Sequence, residues 1–413
     1  MAVVAFDAVD VVFGADPAAA LALLDEGIGK DEVHAKTGNI VGVTNASLAI
    51  EEGEIFVLMG LSGSGKSSLL RCVNGLNKVS RGRVLVRDGA TEVDIARCDA
   101  RTLRRLRMNR VSMVFQQFAL MPWRSVRDNV AYGLEVRGVP KAERYAKVAE
   151  VLDLVRLDQW GDKYPHELSG GMQQRVGLAR AFATDAEILL MDEPFSALDP
   201  LIREHLQDEL IEFQQRLQKT ILFVSHDLDE ALKIGSRIAI MEGGRIIQVG
   251  RPEEIITQPA TDYVRAFVAN VNPLNVLRAI TLMRPLADLA RTESDPAAVL
   301  LDAAGRHRCR LDGGGCIESI LDGDRALVVI DGLDDVDDGG DDVIFLGTPE
   351  TSMRAAVECH HRSGRALPIV DGDRRLIGVI GAAELVAGMM RRGAPGKIQT
   401  DPADAPPATK VAQ

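Results

Sequence analysis

The sequence of 413 residues lacks the features that mark several classes of protein. No apolar run approaches the roughly eighteen residues that a membrane-spanning helix needs. The five cysteines are odd in number, scattered and without a CxxC pair, which argues against a disulfide framework and a zinc site and favours a reducing compartment. The first residues carry no basic leader, so no secretory signal is expected.

An excess of basic residues is also missing, since the net charge is −12. Binding to a nucleic-acid backbone needs a basic face, so no nucleic-acid partner is expected. An acidic protein is repelled by an anionic bilayer surface, and we therefore expect membrane attachment to go through a protein partner. The apolar fraction of 46% and the charged fraction of 26% are ordinary for a globular protein, and the length allows at least two domains.

Short apolar runs alternate with helical patterns over the first part of the chain. Ile55–Met59, Val111–Phe115, Glu187–Asp192 and Ile221–Ser225 are unbroken and apolar, which is typical of buried parallel strands. The segment Leu201–Lys219 repeats apolar residues at spacings of four and three, which predicts a helix. This alternation predicts an α/β fold.

Other segments of the first part have strand or turn patterns. Residues 3–14 and Ile40–Ile50 are expected to be strands, and the polar stretch 16–39 between them shows helical periodicity only around Ala18–Glu26. Arg237–Val249 predicts a hairpin, and a helix is expected to start at Pro252.

A break near Asn272-Pro273 divides the chain, and smaller units follow it. We predict a first domain over 1–271, a second over 276–390 and a disordered tail over 391–413, because the tail is rich in Ala, Pro and small polar residues.

Gly60–Ser67 has the sequence GLSGSGKS, which fits the P-loop pattern G-x-x-x-x-G-K-[ST]. The glycines let the backbone curl around phosphate oxygens with its amides pointing inward. A following helix, expected over Ser68–Asn74, adds the positive partial charge of its N-terminus. Lys66 is expected to reach the β- and γ-phosphates and Ser67 to ligate Mg²⁺. The alternative is a chance glycine-rich turn, which the strand before and the helix after argue against. The predicted phosphate-binding residues are Gly60, Ser62, Gly63, Ser64, Gly65, Lys66, Ser67 and Ser68.

Two carboxylates, Asp192 and Glu193, end the apolar run that begins at Glu187. Two adjacent acids repel one another unless a cation lies near them. With a P-loop upstream, Asp192 is expected to hold Mg²⁺ or its water and Glu193 to face the γ-phosphate. A strand that merely ends at a charged turn is the alternative.

The sequence LSGGMQQR at 168–175 decides between nucleotide-binding families. Ser169 is predicted to be a helix N-cap, and Gly170 and Gly171 leave free amides at a second phosphate-receptive helix start. The chain here resembles the ABC ATPase family over residues 1 to about 270, although Met172 is not the residue most common at that position of the family's signature motif. The resemblance implies a RecA-like core with a helical subdomain at about 117–180.

The same resemblance implies roles for individual residues. Gln116 resembles the glutamine that contacts Mg²⁺ and the membrane subunit, and His226 resembles the histidine that holds the γ-phosphate and the attacking water. Asp199 lies in what looks like the loop that pairs two subunits. Phe13 resembles the aromatic residue that stacks on adenine. The alternatives are a core aromatic for Phe13 and a structural histidine for His226.

The family's architecture implies that each ATP lies between the P-loop of one copy and Ser169, Gly170 and Gly171 of a second copy. Hydrolysis is then expected to depend on dimerisation, with Glu193, His226 and Gln116 as the catalytic residues. The implied cofactors are ATP and Mg²⁺, the latter held by Ser67, Gln116 and Asp192. The implied partners are a second copy, a transmembrane permease and, indirectly, a periplasmic or lipid-anchored substrate-binding protein.

Three features resemble the ATPases of quaternary-amine importers, which take up glycine betaine, proline betaine or choline. These features are the insertion at 16–39, the sequence from Val114 to Arg124, and Asn272–Asn275. The resemblance implies a peripheral position on the cytoplasmic face of the inner membrane. It also implies that the permease docks at Arg124–Asp128, for which an ordinary surface loop is the alternative. An importer ATPase for another small solute, a non-transport ABC ATPase in translation or DNA repair, and a nucleotide-sensing module without enzyme activity remain as other interpretations.

The second part resembles a degenerate pair of CBS domains, which predicts a smaller α+β fold. Ala366–Gly372, Leu376–Ile380 and a helix from Ala383 are similar to one half, and Arg278–Leu289 resembles the opening helix of the other. A structural or dimer-holding role and the sensing of nucleotide or ionic strength are both open. The acidic loop Asp331–Asp342 is interpreted as solvated, with Ca²⁺ binding as the alternative.

Overall fold

The computed structural model describes residues 2–116, 119–196, 198–292, 295–332 and 342–390. It divides into two compact units. The first contains Met1–Ile255 with Pro259–Val264, and the second contains Ile256–Gln258 with the chain from Arg265 onward.

The first unit contains two sheets, whose orders are β2-β1-β4-β5 and β10-β9-β3-β8-β7-β6. The strands are β1 (Ala2–Phe13), β2 (Ile40–Glu51), β3 (Ile55–Met59), β4 (Arg81–Asp88), β5 (Thr91–Asp94), β6 (Val111–Val114), β7 (Ile188–Asp192), β8 (Thr220–Ser225), β9 (Arg237–Glu242) and β10 (Arg245–Gly250). In the second sheet β6, β7, β8, β3 and β9 are parallel, and β10 forms an antiparallel hairpin with β9. The predicted parallel strands and the hairpin are therefore confirmed, although only the two end residues of β6 are buried.

Burial explains why these strands read as unbroken apolar runs. Every residue of β3, β7 and β8 is buried. On one face, Phe56, Leu58 and Leu190 share an apolar core with residues of β1, β2, β4 and the helix that follows the P-loop, and a strand covered on both faces needs an apolar side chain at every position. The carboxyl ends of parallel strands lie at one edge of a sheet. The P-loop follows β3, Asp192 ends β7 and His226 follows β8, so all three lie at that edge.

The helices of this part of the chain are α1 (Pro17–Asp25), α2 (Lys30–Thr37), α3 (Lys66–Val73), α4 (Ala100–Asn109), α5 (Val126–Val136), α6 (Lys141–Leu154), α7 (Gly170–Ala183), α8 (Pro200–Leu217), α9 (Leu228–Ile234), α10 (Pro252–Thr257) and α11 (Asp262–Val268). Helix α8 confirms the helix predicted from its apolar spacing. Its predicted apolar face is only partly buried, since Leu206, Leu210 and Phe213 are buried whereas Ile202 and Leu217 are exposed.

The insertion 16–39 is more ordered than its sequence indicates, since it forms both α1 and α2. Periodicity predicted only the first of these helices, because α2 buries a single side chain, Val33. Apolar residues of the two helices pack with Val12 and Val41 of β1 and β2 in a small separate core. The buried side chain of Asn39 donates to the carbonyl of Asp16 at 2.8 Å, which ties the two ends of the insertion together.

Helices α5, α6 and α7 share a second apolar core, in the region where the helical subdomain is expected. Asn129, which is fully buried, anchors the loop before α5. Its side chain donates to the carbonyls of Met121, Arg124 and Ser125 at 3.0–3.1 Å and accepts from the amide of Met121 at 2.8 Å.

The second unit contains helices and strands in an α+β arrangement. The helices are α12 (Ala279–Leu282), α13 (Met353–Ser363) and α14 (Ala382–Met390), and the strands are β11 (Arg284–Pro285), β12 (Ala298–Leu300), β13 (His307–Leu311), β14 (Ile317–Asp322), β15 (Arg325–Ala326), β16 (Val328–Asp331), β17 (Val343–Leu346), β18 (Leu367–Val370) and β19 (Leu376–Ile380). The sheet orders are β11-β19-β18, β12-β13-β14-β15 and β16-β17.

The predicted opening helix Arg278–Leu289 is wrong. The α-helix there is limited to Ala279–Leu282, Arg284 and Pro285 form a strand that pairs with β19, and Leu286–Asp288 forms a single 3-10 turn. Proline lacks the amide hydrogen that a helix needs and biases the preceding residue towards extended backbone. The predicted hairpin of β18 and β19 and the helix that follows it are confirmed.

Several sequence predictions lie outside the described residues. These are the tail 391–413 and most of the acidic loop, although Asp331 and Asp342 at its ends form ion pairs with Arg374 and Arg325. Within the described ranges, no helix combines the length and the apolar character needed to cross a membrane. The same ranges contain no cluster of three or more His, Cys, Asp or Glu side chains suited to a metal ion.

Candidate functional site

The P-loop between β3 and α3 forms a cradle that side chains would fill. Gly60 has φ +147°, and a Cβ atom there would lie 2.1 Å from the carbonyl oxygen of Met241. Gly65 has φ +97°, and its Cβ would lie 2.2 Å from the carbonyl oxygen of Gly42. Both positions therefore require glycine. The hydroxyl of Ser64 is buried and has no hydrogen-bond partner among the described residues, so the cradle offers a donor for an anion.

Lys66 is buried at the base of this cradle. Its ammonium donates to the carbonyl oxygens of Gly60 at 2.7 Å and Leu61 at 3.1 Å, within its own loop. Burial lowers the pKa of Lys66, and the carboxylates Glu193 and Asp192 oppose that shift. Lys66, which the sequence predicts to bind phosphate, therefore lies among the P-loop carbonyl groups. The negative charges of Asp192 and Glu193 act on its ammonium group. Ser62 and Gly63 are exposed at the tip of the loop.

Asp192 at the end of β7 meets two side chains of α3. Its Oδ1 accepts a hydrogen bond from the hydroxyl of Ser67 at 2.6 Å, and its Oδ2 accepts two from the guanidinium of Arg71 at 2.8 and 3.1 Å. A hydroxyl and a carboxylate side by side are oxygen ligands of the kind that Mg²⁺ takes, so the residues present fit that ion. Arg71 was missed from the sequence, although it lies four residues after Ser67 and hence on the same helix face.

Glu193 contacts the other two predicted catalytic side chains, Gln116 and His226. The amide of Gln116 donates to its Oε2 at 3.1 Å, and Nδ1 of His226 lies 3.2 Å from the same oxygen. Glu193 itself has φ +46°, in the left-handed region that favours glycine. Its amide donates to the carbonyl of Val224 at 3.1 Å, which holds this residue against β8. Gln116 contacts Glu193 rather than the pair formed by Ser67 and Asp192.

Ser169 caps α7, as the sequence predicts, and accepts a hydrogen bond from the amide of Met172 at 3.4 Å. The hydroxyl and the carbonyl of Ser169 bond within its own helix. Gly170 is exposed, and Gly171 lies against Ile202. A shallow cavity of about 300 Å³ joins this corner to Leu198 and Asp199. The signature residues and Asp199 thus form one surface, separate from the cluster around Glu193.

Phe13 lies at the end of β1, opposite Ile40 of β2. Its ring edge passes over Gly42, where a Cβ atom would lie 2.8 Å from Cε2 of Phe13 and 3.3 Å from Oγ of Ser68. Phe13 as a whole residue is 39% exposed. An exposed aromatic face beside the start of α3 can stack on a planar base.

A wide cleft of about 720 Å³ opens beside Gln116. Its lining includes Arg71, Phe115, Leu120, Pro122, His166 and Gln173. Trp123, which follows the lining residue Pro122, is 74% exposed.

Residues 43–196 match the family model described as ABC transporter. The ATP-binding protein ProV of the glycine betaine/proline betaine transport system of Escherichia coli (strain K12) is 42% identical over 388 residues, which are 92% of this chain and 96% of that protein. This chain belongs to the ABC transporter family. As a member it is an ATPase with an ATP-binding cassette, and these two sequence predictions are confirmed.

Other ABC transporter proteins are similar over shorter lengths. The glycine betaine/carnitine transport ATP-binding protein GbuA of Listeria monocytogenes (serotype 1/2a, strain 10403S) is 47% identical over 291 residues, covering 70% of this chain and 72% of that protein. A solved dimeric structure of the ATP-binding cassette MJ0796, in a post-hydrolysis state with ADP and phosphate, is 28% identical with a TM-score of 0.51 and covers 60% of this chain and 98% of that one. The predicted resemblance to ATP-binding subunits of quaternary-amine transporters is therefore confirmed, as is the ABC cassette fold.

Proposed function

We propose that this chain hydrolyses ATP to power the import of a quaternary amine such as glycine betaine or choline through a membrane permease. The observation that carries the proposal is the 42% identity to a glycine betaine/proline betaine ATP-binding protein over 96% of its length. The arrangement of Gln116, Glu193 and His226 supports the hydrolytic role, because two side chains contact one carboxylate oxygen and fix its direction.

The hydrolytic step follows from that arrangement. The P-loop amides, Ser64 and Lys66 bind and orient the triphosphate, and Phe13 stacks on its adenine ring. Mg²⁺, held by Ser67 and Asp192, supplies charge neutralisation at the phosphates when it is bound. Glu193 accepts a hydrogen bond from the attacking water and aims it at the γ-phosphate. Gln116 and His226 keep the Glu193 carboxylate in that direction.

Two copies act together in this proposal. Ser169, Gly170 and Gly171 present free amides at the exposed start of α7, and no P-loop residue lines the cavity at this corner, so they are available to the triphosphate of a second copy. Asp199 shares their cavity and would lie in the same interface. The dimeric state of the MJ0796 cassette is consistent with this arrangement.

The permease is proposed to dock on the cleft beside Gln116. Trp123 and the segment Arg124–Asp128 follow Pro122, which lines the cleft. Arg124 is held by an ion pair with Glu135 at 2.7 Å and by the ring of Tyr132. A partner in that cleft would touch the loop that carries Gln116. The site of action would then be the cytoplasmic face of the inner membrane, with a substrate-binding protein acting on the permease from the other side.

The second unit is proposed to be CBS-like and to have a structural or dimer-holding role. The order β17, α13, β18, β19, α14 supports this for residues 343–390. Strands β16 and β17 are parallel and a parallel bridge joins Gly347 to Ile369. The half before it has instead the antiparallel sheet β12-β13-β14-β15.

Glu193→Gln tests the hydrolytic role. The amide side chain keeps the shape of Glu193 but binds the attacking water less strongly, so ATP binding should persist while turnover stops and an ATP-bound dimer accumulates. Turnover is measured by phosphate release and dimerisation by size-exclusion chromatography with ATP. Glu187→Gln, on the exposed residue before β7, is the matched control and should keep the parent rate. Equal rates for Glu193→Gln and the parent would reject Glu193 as the base.

Ser169→Arg tests the use of a second copy. The added cation should block the interface and abolish hydrolysis without weakening nucleotide binding to the single chain. Loss of nucleotide binding by this variant would contradict the proposed dimeric site.

A further inference from the structure

Arg203, in the first turn of α8, joins two loops of the site. Its Nη2 donates to the carbonyl oxygen of Leu198 at 3.2 Å, and its Nη1 donates to Oδ2 of Asp227 at 2.9 Å. Leu198 precedes Asp199 on the surface that holds the signature corner. Asp227 directly follows His226. One guanidinium therefore connects the surface offered to a second copy with the loop that carries His226.

Asp227 is a fixed point of that loop. Its Oδ1 accepts from the amide of Glu230 and caps α9, and its own amide donates to the hydroxyl of Ser225 at 2.9 Å. His226 lies between Ser225 and Asp227. Its side chain is 55% exposed, and its Nδ1 lies 3.2 Å from Oε2 of Glu193. A shift of Asp227 would therefore move His226 relative to Glu193.

Helix α8 supports the same loop one turn further on. The amide of Gln207 donates to Oε1 of Glu230 at 3.1 Å, and the hydroxyl of Ser225 donates to the other oxygen of that carboxylate. Glu230 is buried, and burial raises its pKa. Positions 203 and 207 share a helix face, so α8 holds the His226 loop at two points. Of these, Arg203 is the one that also reaches the loop of Asp199.

We propose that Arg203 is a positioning residue that makes the place of His226 depend on the loop Leu198–Asp199. This inference rests on the dimer described under the proposed function. When a second copy presses on that loop, the carbonyl of Leu198 moves, the guanidinium follows it, and Asp227 shifts His226 relative to Glu193, which His226 already contacts in the single chain. Hydrolysis is thereby tied to completion of the site by the second copy.

The test compares Arg203→Met, Arg203→Lys and Lys233→Met in the full chain. Methionine keeps an apolar stem and removes both hydrogen bonds, whereas lysine can restore one charged contact to Asp227. Lys233 is the matched control, because it joins α9 to α8 through Asp208 at 2.7 Å but touches neither loop. Folding is checked by the thermal unfolding midpoint of each variant, and ATP binding by titration.

Arg203→Met should lower kcat by about tenfold or more, because small misplacements of a catalytic group have effects of this size. KM for ATP should stay within about twofold, and the Hill coefficient for ATP should fall towards 1. Arg203→Lys should recover part of kcat, and Lys233→Met should match the parent. Asp227→Ser keeps a capping oxygen but is too short to reach Arg203. It should lower kcat as Arg203→Met does, and the double variant should be no slower than either single one.

A separate measurement distinguishes this inference from the proposed function. In the Glu193→Gln background, Arg203→Met should still form the ATP-bound dimer, because Arg203 acts on His226 and not on nucleotide binding. If Glu193→Gln dimerises but Arg203→Met behaves as Lys233→Met does, the positioning role is rejected while the proposed function stands. A loss of ATP binding or dimerisation in step with kcat would also reject it. If Glu193→Gln itself neither stops turnover nor dimerises, the proposed function fails first.

Discussion

The side-chain amide of Gln116 donates a hydrogen bond of 3.1 Å to Oε2 of Glu193, across 77 residues of sequence. Nδ1 of His226 approaches the same oxygen. One carboxylate oxygen thus has neighbours from two loops, while Gln116 also borders the wide cleft where a permease is proposed to dock. The glutamine therefore connects that cleft with the carboxylate.

Gln116→Ala should lower kcat for ATP hydrolysis by about tenfold, because Glu193 then keeps only His226 to orient it. KM for ATP should change little, since Gln116 bonds to Glu193 and not to the P-loop. The measurement is steady-state phosphate release over a range of ATP concentrations.

Gln116→Glu sharpens this prediction. A second carboxylate beside Glu193 repels it, so this variant should be slower than Gln116→Ala at neutral pH. Gln215→Ala, on the exposed face of α8, is the control and should keep the parent rate. A Gln116→Glu variant as fast as the parent would contradict the contact.

Asn129→Leu should destabilise the helical part of the first unit by an amount on the order of 3 kcal/mol. Leucine has a similar volume but leaves the amide of Met121 and the carbonyl of Arg124 without the partner that Asn129 provides, and each buried unpaired group costs about 1–3 kcal/mol. The tryptophans of the chain, Trp123 and Trp160, lie close to these helices. Their fluorescence during urea unfolding therefore reports on this region.

Asn109→Leu is the control, because the side chain of Asn109 is exposed and bonds only to a carbonyl of its own helix. Its free energy of unfolding should stay within about 0.5 kcal/mol of the parent value. Equal unfolding midpoints for the two variants would show that the hydrogen bonds of Asn129 contribute no net stability.

Asp322 should give the second unit a stability that is lost in acid. Hydrogen bonds from Arg306 and Arg365 lower the pKa of Asp322 from 3.8 to about 2, and His307 lies 3.5 Å from the same carboxylate. Because the folded pKa lies below the unfolded one, the stabilisation is complete above pH 3.8 and disappears as the pH falls through about 2. The unfolding midpoint of Asp322→Asn should lie below that of the parent at pH 6, and the difference should close between these two values.

Asp324→Asn provides the comparison for that experiment, because Asp324 is fully exposed and its contact with Arg308 is longer, at 3.4 Å. It should follow the parent at every pH. A gap between Asp322→Asn and the parent that stayed constant down to pH 2 would assign the effect to packing and not to charge.

Sequence patterns predicted those parts of the fold in which one physical requirement decides the residue type. A strand buried on both faces needs an apolar side chain at every position, so Ile55–Met59 was predicted with its observed bounds. The P-loop glycines Gly60 and Gly65 are fixed by close backbone approaches that no side chain tolerates. Polar helices gave a weaker signal. Helix α2 buries only Val33, and its sequence has no stripe to detect.

The predicted site residues belong to recognisable sequence motifs, whereas the residues that support them do not. Arg71 and Arg203 are arginines on helices, and the sequence does not reveal that one binds Asp192 and the other binds Asp227. Those partners become neighbours only through the order of the parallel strands. The antiparallel sheet β12-β13-β14-β15 was missed for a related reason, since strands of two to six residues leave too short an alternation to separate from loops.

The backbone at Glu193 limits how far this protein can be stabilised without losing activity. A side chain held at φ +46° costs about 1–3 kcal/mol, and glycine adopts that conformation without this cost. A selection for heat resistance alone would therefore favour glycine at position 193. The resulting variant should be more stable and should still bind ATP in the P-loop, but it should no longer hydrolyse ATP.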